Sequence, residues 1–401
     1  MQYRTVPLNG DRLSALGYGC MRFPQSGRGI DKPRAEKQLL SAIDRGVNYI
    51  DTAYPYHNGE SEPFLGEVLK PDIREKLKLA TKLPPSAVRE KADMEKILDN
   101  QLKKLNTDRI DYYLLHGLDE HSWEKFQRFD VLEFLDTQVR KGKIVNKGFS
   151  FHGPGGLFNE IVDAHDWVFC QIQYNILDEY FQAGRAGLEY AASKNLAVMI
   201  MEPLRGGTLT ANIPGEIMDI WDSSGHARTP AEWALKWLWD HDEITVVLSG
   251  MNREDHISEN IRVAEESDPG CLTAAEKATV GMVRDKYREL LEIPCTACRY
   301  CMPCPRGIDI PGSFDLYNRV AFYKDGKFQN QFRYMLHNGG LEKGESHYVS
   351  NCINCGKCVK ACPQNIDIPE KLKKVERMYE GIFLKILEFI GRIFYKRAMR
   401  K

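Results

Sequence analysis

The chain has 401 residues, 43% of them hydrophobic, and a formal net charge of -1. That length suits a large domain with a smaller appendage, and the apolar share is enough for a large core. The balanced charge removes the electrostatic case for nucleic acid as the main partner, and no apolar run approaches the ~20 residues that span a bilayer.

Met1-Gln2-Tyr3-Arg4 opens directly into mixed polar sequence, so no signal peptide is expected and a reducing cytoplasm is the expected location. Before residue 17 the pattern reads as a short hairpin with Asn9-Gly10 as its turn. Eight short apolar runs follow, at 17–23, 47–53, 77–83, 110–116, 145–151, 167–174, 197–204 and 244–250. They are near-continuously apolar, as strands buried on both faces are. Helical patterns lie between them. Residues 33–45 open with a proline, 86–105 carry apolar residues at helical spacing, Thr229-Pro230-Ala231-Glu232 is a capping box for 233–240, and 253–266 follow the eighth run. Eight alternating units predict a closed (β/α)8 TIM barrel in the α/β class. A doubly wound open sheet would carry a G-x-G-x-x-G turn after an early strand, and none is present. A further helix is expected at 273–292. The predicted domains are 1–290 for the barrel, 291–375 for a small, mainly helical, cysteine-rich domain and 376–401 for a basic amphipathic helix.

In barrel enzymes catalysis sits at the C-terminal ends of the strands. Asp51 ends the second run, Tyr56 follows in the loop, Lys82 ends the third run and His116 the fourth. These residue types suit carbonyl reduction. A hydride reaches the carbonyl carbon, and the oxygen needs a proton. Tyrosine can donate it, but its ordinary pKa of about 10 is high for the task. A neighbouring lysine favours the phenolate, an aspartate holds that lysine, and a histidine orients the carbonyl oxygen. Taken singly, each is as readily a surface charge or part of an architectural ion pair. Their joint occurrence at successive strand ends favours a catalytic set.

The stretch Asp51-Thr52-Ala53-Tyr54-Pro55-Tyr56, with Thr81-Lys82 and Leu114-Leu115-His116, resembles the motifs of the aldo/keto reductase superfamily from Met1 to about Glu266. The resemblance implies that Tyr56 is the proton donor and Tyr54 a pocket wall. It also implies a nicotinamide dinucleotide, NAD(P)H, extended across the barrel mouth. Ser150 and Gln171 match the residues that hold its carboxamide, with His152 close to the place where relatives carry asparagine. Glu202-Pro203-Leu204-Arg205-Gly206-Gly207 matches the loop that passes the pyrophosphate, with Pro203, Leu204, Gly206 and Gly207 as contacts. Asn260 matches an adenine contact. Two departures are visible. Met201 stands where many relatives stack an aromatic ring on the nicotinamide. Gly250 and His256 stand where NADPH-using relatives place lysine and arginine, which leaves Arg253 as the nearby phosphate partner and the choice of NADH or NADPH open.

Of the 11 cysteines, Cys20, Cys170 and Cys271 stand alone and eight form two groups. Cys352-x2-Cys355-x2-Cys358-x3-Cys362-Pro363 is the bacterial ferredoxin run for a [4Fe–4S] cluster, whose fourth cysteine ligates the other cluster. Cys295-x2-Cys298-x2-Cys301-x2-Cys304-Pro305 is one residue shorter in its last gap. The expected pairing is one cluster on Cys295, Cys298, Cys301 and Cys362 and another on Cys352, Cys355, Cys358 and Cys304. Zinc bound by C-x2-C pairs and structural disulfides are the alternatives; the triplet spacing with Cys-Pro favours iron–sulfur. Both groups lead into Ile-Asp-Ile-Pro, an imperfect duplication. The chain thus looks like a member of the subfamily that joins an aldo/keto reductase barrel to a ferredoxin-type domain.

At 381–401, Ile382, Phe383, Ile386, Leu387, Ile390, Ile393 and Phe394 share one helical face, with basic residues mostly off it. Docking against the rest of the chain is the plainer expectation, and peripheral contact with an anionic membrane the sharper one. The sequence as a whole points to an oxidoreductase that reduces a small-molecule aldehyde or ketone. Its clusters serve electron transfer with a ferredoxin or flavoprotein, or structure. The rival reading is an electron-transfer or redox-sensing protein whose barrel binds nucleotide without turnover.

Overall fold

The computed structural model describes residues 1–27, 29–207, 209–211, 213–290, 292–293, 295, 301–322, 326–339, 346–362 and 366–381. Cys298 and almost all of the C-terminal amphipathic segment, 382–401, lie outside the described residues. The chain forms two compact units, Met1–Thr210 with Trp221–Val280, and Ala211–Ile220 with Gly281–Lys401. The cut between them falls inside helix Ala274–Leu290, whose end is the boundary expected from sequence.

In the first unit, β1 (Tyr3–Thr5) and β2 (Arg12–Ser14) form an antiparallel hairpin. β3 (Leu16–Gly19) enters the barrel, and β4 (Gln25–Ser26) and β5 (Gly29–Ile30) make a small outer hairpin. The barrel continues through β6 (Tyr49–Asp51), β7 (Lys78–Leu83), β8 (Ile110–Leu118), β9 (Ile144–Phe151), β10 (Phe169–Gln173), β11 (Ala197–Met201) and β12 (Ile244–Ser249). β3 and β6 to β12 are parallel and close in chain order, β12 pairing with β3. All eight expected strands are present.

Burial on both faces explains their composition. Inward-facing Tyr49, Tyr112 and Phe169 stack edge to face, with ring centroids 5.3 and 4.9 Å apart. They share a core with Ala80, Leu114, Met199, Val246 and the hairpin residues Val6 and Leu13. The hairpin connection is longer than the two-residue Asn9-Gly10 turn expected. Residues 6–11 form a loop closed by Val6 N–H to Asp11 O at 2.8 Å. That length lets Val6 reach the core while Asp11 accepts from Tyr112 Oη at 2.8 Å. The helix expected at 86–105 starts later, at Lys91–Lys104. Pro84 and Pro85 hold the chain in another conformation, and a Glu90–Asp93 capping box sets the start.

The second unit is helical among its described residues: Ile310–Ala321, Lys327–Asn338, Lys357–Ala361 and Ile368–Tyr379. The two Ile-Asp-Ile-Pro repeats each start a helix, but of the two aspartates only Asp367 accepts a side-chain capping hydrogen bond, from Glu370 N. Asp309 and Asp367 are the N-caps of helices Ile310–Ala321 and Ile368–Tyr379, with a proline in the first turn of each. These helices enclose a core of Ile293, Ile308, Ile310, Phe314, Ile366, Ile368 and neighbours.

Candidate active site

Strand register brings the expected catalytic residues to one rim. Gly19 pairs with Asp51, Asp51 with Ala80, and Lys82 with Leu114. Asp51 ends β6 and Lys82 lies next to the end of β7. His116 is not the last residue of its strand, because β8 runs on to Leu118. The register slips between Leu115 and Leu118, with Gly117 at φ 61°. Such an irregularity re-aims a side chain beside a site.

Lys82 Nζ donates to Asp51 Oδ1 and Oδ2, both at 2.8 Å, and to Thr52 O at 2.7 Å. It lies 3.4 Å from Tyr56 Oη and 4.9 Å from the Tyr56 ring centroid. Lys82 and Asp51 are only 1% and 3% exposed, so each charge depends on the other. Burial opposes the Lys82 ammonium, but Asp51 and Tyr56 outweigh it and its pKa is raised. Burial also raises Asp51, with Lys82 pulling it back down. For Tyr56 burial is the larger effect and raises the phenol pKa; Lys82 offsets this only in part. The phenol is therefore held in its protonated, donating form. The His116 ring stands 6.3 Å from that of Tyr56, nearly perpendicular. Its pKa falls to about 3, through burial and then Lys82 and His152, which keeps the imidazole neutral.

A buried polar network behind Lys82 escaped the sequence reading. Gln101 Nε2 donates to Lys82 O at 3.0 Å and to Glu62 Oε1 at 2.7 Å, and Tyr113 Oη donates to Gln101 Oε1 at 2.8 Å. Thr81 Oγ1 also donates to Glu62 Oε1, at 2.7 Å. The one visible signal was a Glu and a Gln on otherwise apolar helical faces. Tyr54 is not a pocket wall. Its ring lies under Lys104 Nζ at 4.7 Å, and it is not among the residues lining the cavity. Its side chain faces helix Lys91–Lys104 because Pro55 turns the chain between the two tyrosines.

A cavity of about 960 Å³ opens at this rim, lined by Asp51, Tyr56 and His116. Every residue expected to contact a dinucleotide also lines it: Ser150, His152, Gln171, Pro203, Leu204, Gly206, Gly207, Arg253 and Asn260. Gln171 Oε1 is buried with no hydrogen-bond partner, while its Nε2 meets Met201 Sδ at 3.5 Å. A bare acceptor on a cavity wall fits an amide N–H donor such as a nicotinamide carboxamide. Ser150 Oγ accepts from Gly117 N at 2.7 Å, and His152 Nδ1 lies 3.3 Å from Gln182 Oε1. In the loop after β11, Glu202, Arg205, Gly206 and Gly207 all have positive φ. Asp178 pins this loop by accepting from Gln173, Asn175 and Arg205 at 2.8, 3.0 and 3.2 Å. The Gly206-Gly207 backbone that results fits a phosphate. Arg253 Nε and Nη2 donate to Asp255 Oδ1 and Oδ2, at 3.0 and 2.7 Å. Asn260 Nδ2 donates to Ser249 Oγ at 2.9 Å. Arg22, His57 and Asn252 line the cavity too. Arg22 and His57 stand on short 3-10 turns and Asn252 in a loop, segments too short for periodicity to mark a side chain's direction.

In the second unit, Cys295, Cys301, Cys304, Cys352, Cys358 and Cys362 pack against the hydrophobic core. A small cavity there is lined by Cys301, Cys304, Cys352, Cys355 and Cys358, with Arg306 and Lys357 at its edge. It brings Cys301 and Cys304 of the first run to the first three cysteines of the second. Thiolates so gathered suit an iron–sulfur cluster.

A closed parallel barrel with its polar residues gathered over a large cavity at the strand ends is the architecture of a barrel enzyme. A family model for the aldo/keto reductase family matches residues 15–268, and one for a 4Fe-4S dicluster domain matches residues 294–366. The chain belongs to the aldo/keto reductase family, and it is an oxidoreductase of that type carrying a 4Fe-4S domain. A 6-dehydroglucose reductase of Novosphingobium aromaticivorans is 29% identical over 281 residues, covering 64% of this chain and 88% of its own. The methylglyoxal reductase YeaE of Escherichia coli is 26% identical over 294 residues, covering 69% and 94%. Among solved structures, the thermostable aldo-keto reductase Tm1743 in complex with the inhibitor epalrestat matches with a TM-score of 0.59 at 25% identity, over 71% of this chain and all of its own. The aldo-keto reductase AKR11C1 of Bacillus halodurans shares the fold, with a TM-score of 0.59 at 24% identity over 71% of this chain and 96% of its own.

Proposed function

We propose that the barrel reduces the carbonyl group of a small aldehyde or ketone to an alcohol with NAD(P)H, with Tyr56 as proton donor. The observation that carries this is the buried Lys82 ammonium, shared between the Asp51 carboxylate and the Tyr56 hydroxyl, both of which line the cavity. NAD(P)H supplies the hydride to the carbonyl carbon. Tyr56 gives its proton to the carbonyl oxygen as negative charge develops there. The phenolate left behind faces Lys82, which stabilises it within the low-dielectric site. Neutral His116 donates a hydrogen bond to the same oxygen. Gln171 and Ser150 orient the carboxamide, with His152 beside them, and the loop carrying Pro203, Leu204, Gly206 and Gly207 follows the pyrophosphate. Arg253 and Asn260 flank the adenosine end. The named reductases among the relatives support small polar carbonyl compounds as the substrate class.

The appended domain holds two [4Fe–4S] clusters in this reading. Cys352, Cys355, Cys358 and Cys304 bind one; all four line a cavity that Cys301 lines too. Cys295, Cys298, Cys301 and Cys362 bind the other. Clusters held by these cysteines would supply single-electron chemistry toward a carrier such as a ferredoxin or flavoprotein, or structural cohesion, in a cytoplasmic setting. The functional division follows residues 1–290, 291–375 and 376–401. No described helix is long and apolar enough to cross a membrane.

Tyr56→Phe tests the barrel reading. Steady-state reduction of a carbonyl panel should fall about 10²–10⁴-fold, with calorimetric NAD(P)H affinity unchanged. Turnover at the wild-type rate in Tyr56→Phe would sink the mechanism.

A further inference from the structure

We infer that the exposed face of the second unit at the cysteine cavity is a docking surface for a small acidic electron-carrier protein. The inference deepens the reading that these cysteines hold an iron–sulfur cluster, and rests on it. Between Cys352 and Cys358 the chain turns sharply, with Asn354 and Gly356 at φ 52° and 70°. Cys352 and Cys358 pack on the core, while Cys355 is exposed and Ile353 is 60% exposed. Pro303 and Pro305 are exposed as well and line the same cavity. The apolar surface there is a patch, not a lone side chain, and such a patch marks a contact with another molecule. A thiol that would hold the cluster, Cys355, is itself part of this surface.

The rim of the patch is cationic. Among the described residues that line the cavity, Arg306 and Lys357 are the only charged ones, and both are exposed. Neither has a carboxylate within 4.0 Å among the described residues. Lys360, three residues along helix Lys357–Ala361, is exposed too. The cations of the following helix differ: Lys373 and Lys374 are paired with Glu370 and Glu292. A cluster on thiolates is negative and by itself repels an acidic protein. Free cations at the edge of its site offset that repulsion. An apolar centre with charges at the rim is the anatomy of a transient contact, in which the rim sets the rate, orientation and sign of the encounter. Electron carriers dock through small interfaces of this kind. The positive rim here selects a carrier whose own surface is acidic.

The test is surface plasmon resonance on anaerobically purified full-length protein, with iron content measured on every variant. The probes are an acidic plant-type [2Fe–2S] ferredoxin and a basic c-type cytochrome, each at about 20 and about 200 mM salt. Wild type should bind the ferredoxin and not the cytochrome, and the higher salt should weaken that binding roughly tenfold. Arg306→Gln/Lys357→Gln should slow association and weaken binding about 3- to 20-fold at the lower salt, with full iron content. Ile353→Ser should weaken it at both salts, since salt does not screen an apolar contact. Lys373→Gln/Arg377→Gln removes the same charge at a separate surface pocket, and should leave affinity within about twofold of wild type. Unchanged affinity in Arg306→Gln/Lys357→Gln, or an equal loss in the matched control, overturns the docking surface. Loss of iron in Arg306→Gln/Lys357→Gln also overturns it, since that assigns the two cations to holding the cluster. Binding of the cytochrome, or of neither probe, overturns the acidic carrier. A wild-type protein that purifies without iron overturns the cluster reading itself.

Discussion

The almost fully buried Lys82 ammonium makes three short contacts, two to Asp51 and one to Thr52 O. Removing one member of such a pair leaves the other charge buried alone, which costs about 3–5 kcal/mol. Lys82→Met should therefore lower the stability of the barrel by about that amount in urea unfolding followed by tryptophan fluorescence. The double variant Lys82→Met/Asp51→Leu should recover much of the stability and none of the activity. A single variant as stable as wild type would show that Asp51 is not held as a charge. His116 carries a pH signature. Its folded pKa is depressed to about 3 from 6.5. Below 6.5 the unfolded chain takes up a proton on this ring that the folded barrel refuses until about 3. Its contribution to stability is complete above 6.5 and drains away as pH falls through that window. Thermal melts between pH 7 and pH 4 should thus be steeper in wild type than in His116→Asn.

Among the elements, the loop after β11 combines the most unusual backbone with the most direct support. Glu202 and Arg205 have φ of 54° and 49°, values that side chains other than glycine adopt at a cost. Asp178 gathers Gln173, Asn175 and Arg205 beneath them, and Asn175 also donates to Glu202 O at 3.1 Å. Asp178→Ala should release the loop. The Michaelis constant for NAD(P)H should rise about tenfold, as expected for loss of roughly one charged hydrogen bond, while kcat changes little because the Tyr56–Lys82–Asp51 set stands on other strands. A fall in kcat with an unchanged Michaelis constant would place Asp178 in the chemistry instead. In the second unit, the repeated Asp N-cap and proline use one short signal to start both helices that follow the cysteine runs.

Across the whole molecule, two kinds of cohesion operate. The barrel closes on itself through eight parallel strands and an interior of aromatic and aliphatic side chains. The second unit has a small core, and six of its cysteines pack on the border of that core. Small domains of this kind draw their folding energy from bound metal. Stripping iron with a chelator under oxidising conditions should make residues beyond 300 sensitive to limited proteolysis, with the barrel fragment surviving. Cys355→Ser should remove one cluster's worth of iron by elemental analysis and leave the other. Full iron content in that variant would overturn the ligand set proposed for Cys352, Cys355, Cys358 and Cys304.

The amino-acid sequence by itself determined the strand order, the closed-barrel class, the positions of Asp51, Tyr56, Lys82 and His116, and the cysteine spacing. These are local properties. A strand buried on both faces must be a short apolar run, a residue at its end must reach the rim, and a cluster ligand set must follow a tight turn. Only the tertiary structure decided that Tyr54 faces helix Lys91–Lys104, that Gln101 and Glu62 brace Lys82, that Gln171 keeps a bare acceptor, and that the Arg22 stem lies along Gly250. Those facts depend on packing between elements far apart in sequence and on closure of the barrel. Pairing β12 with β3 brings Ser249 beside Tyr18, across most of the first unit's length, and a short-range pattern carries no record of such a contact.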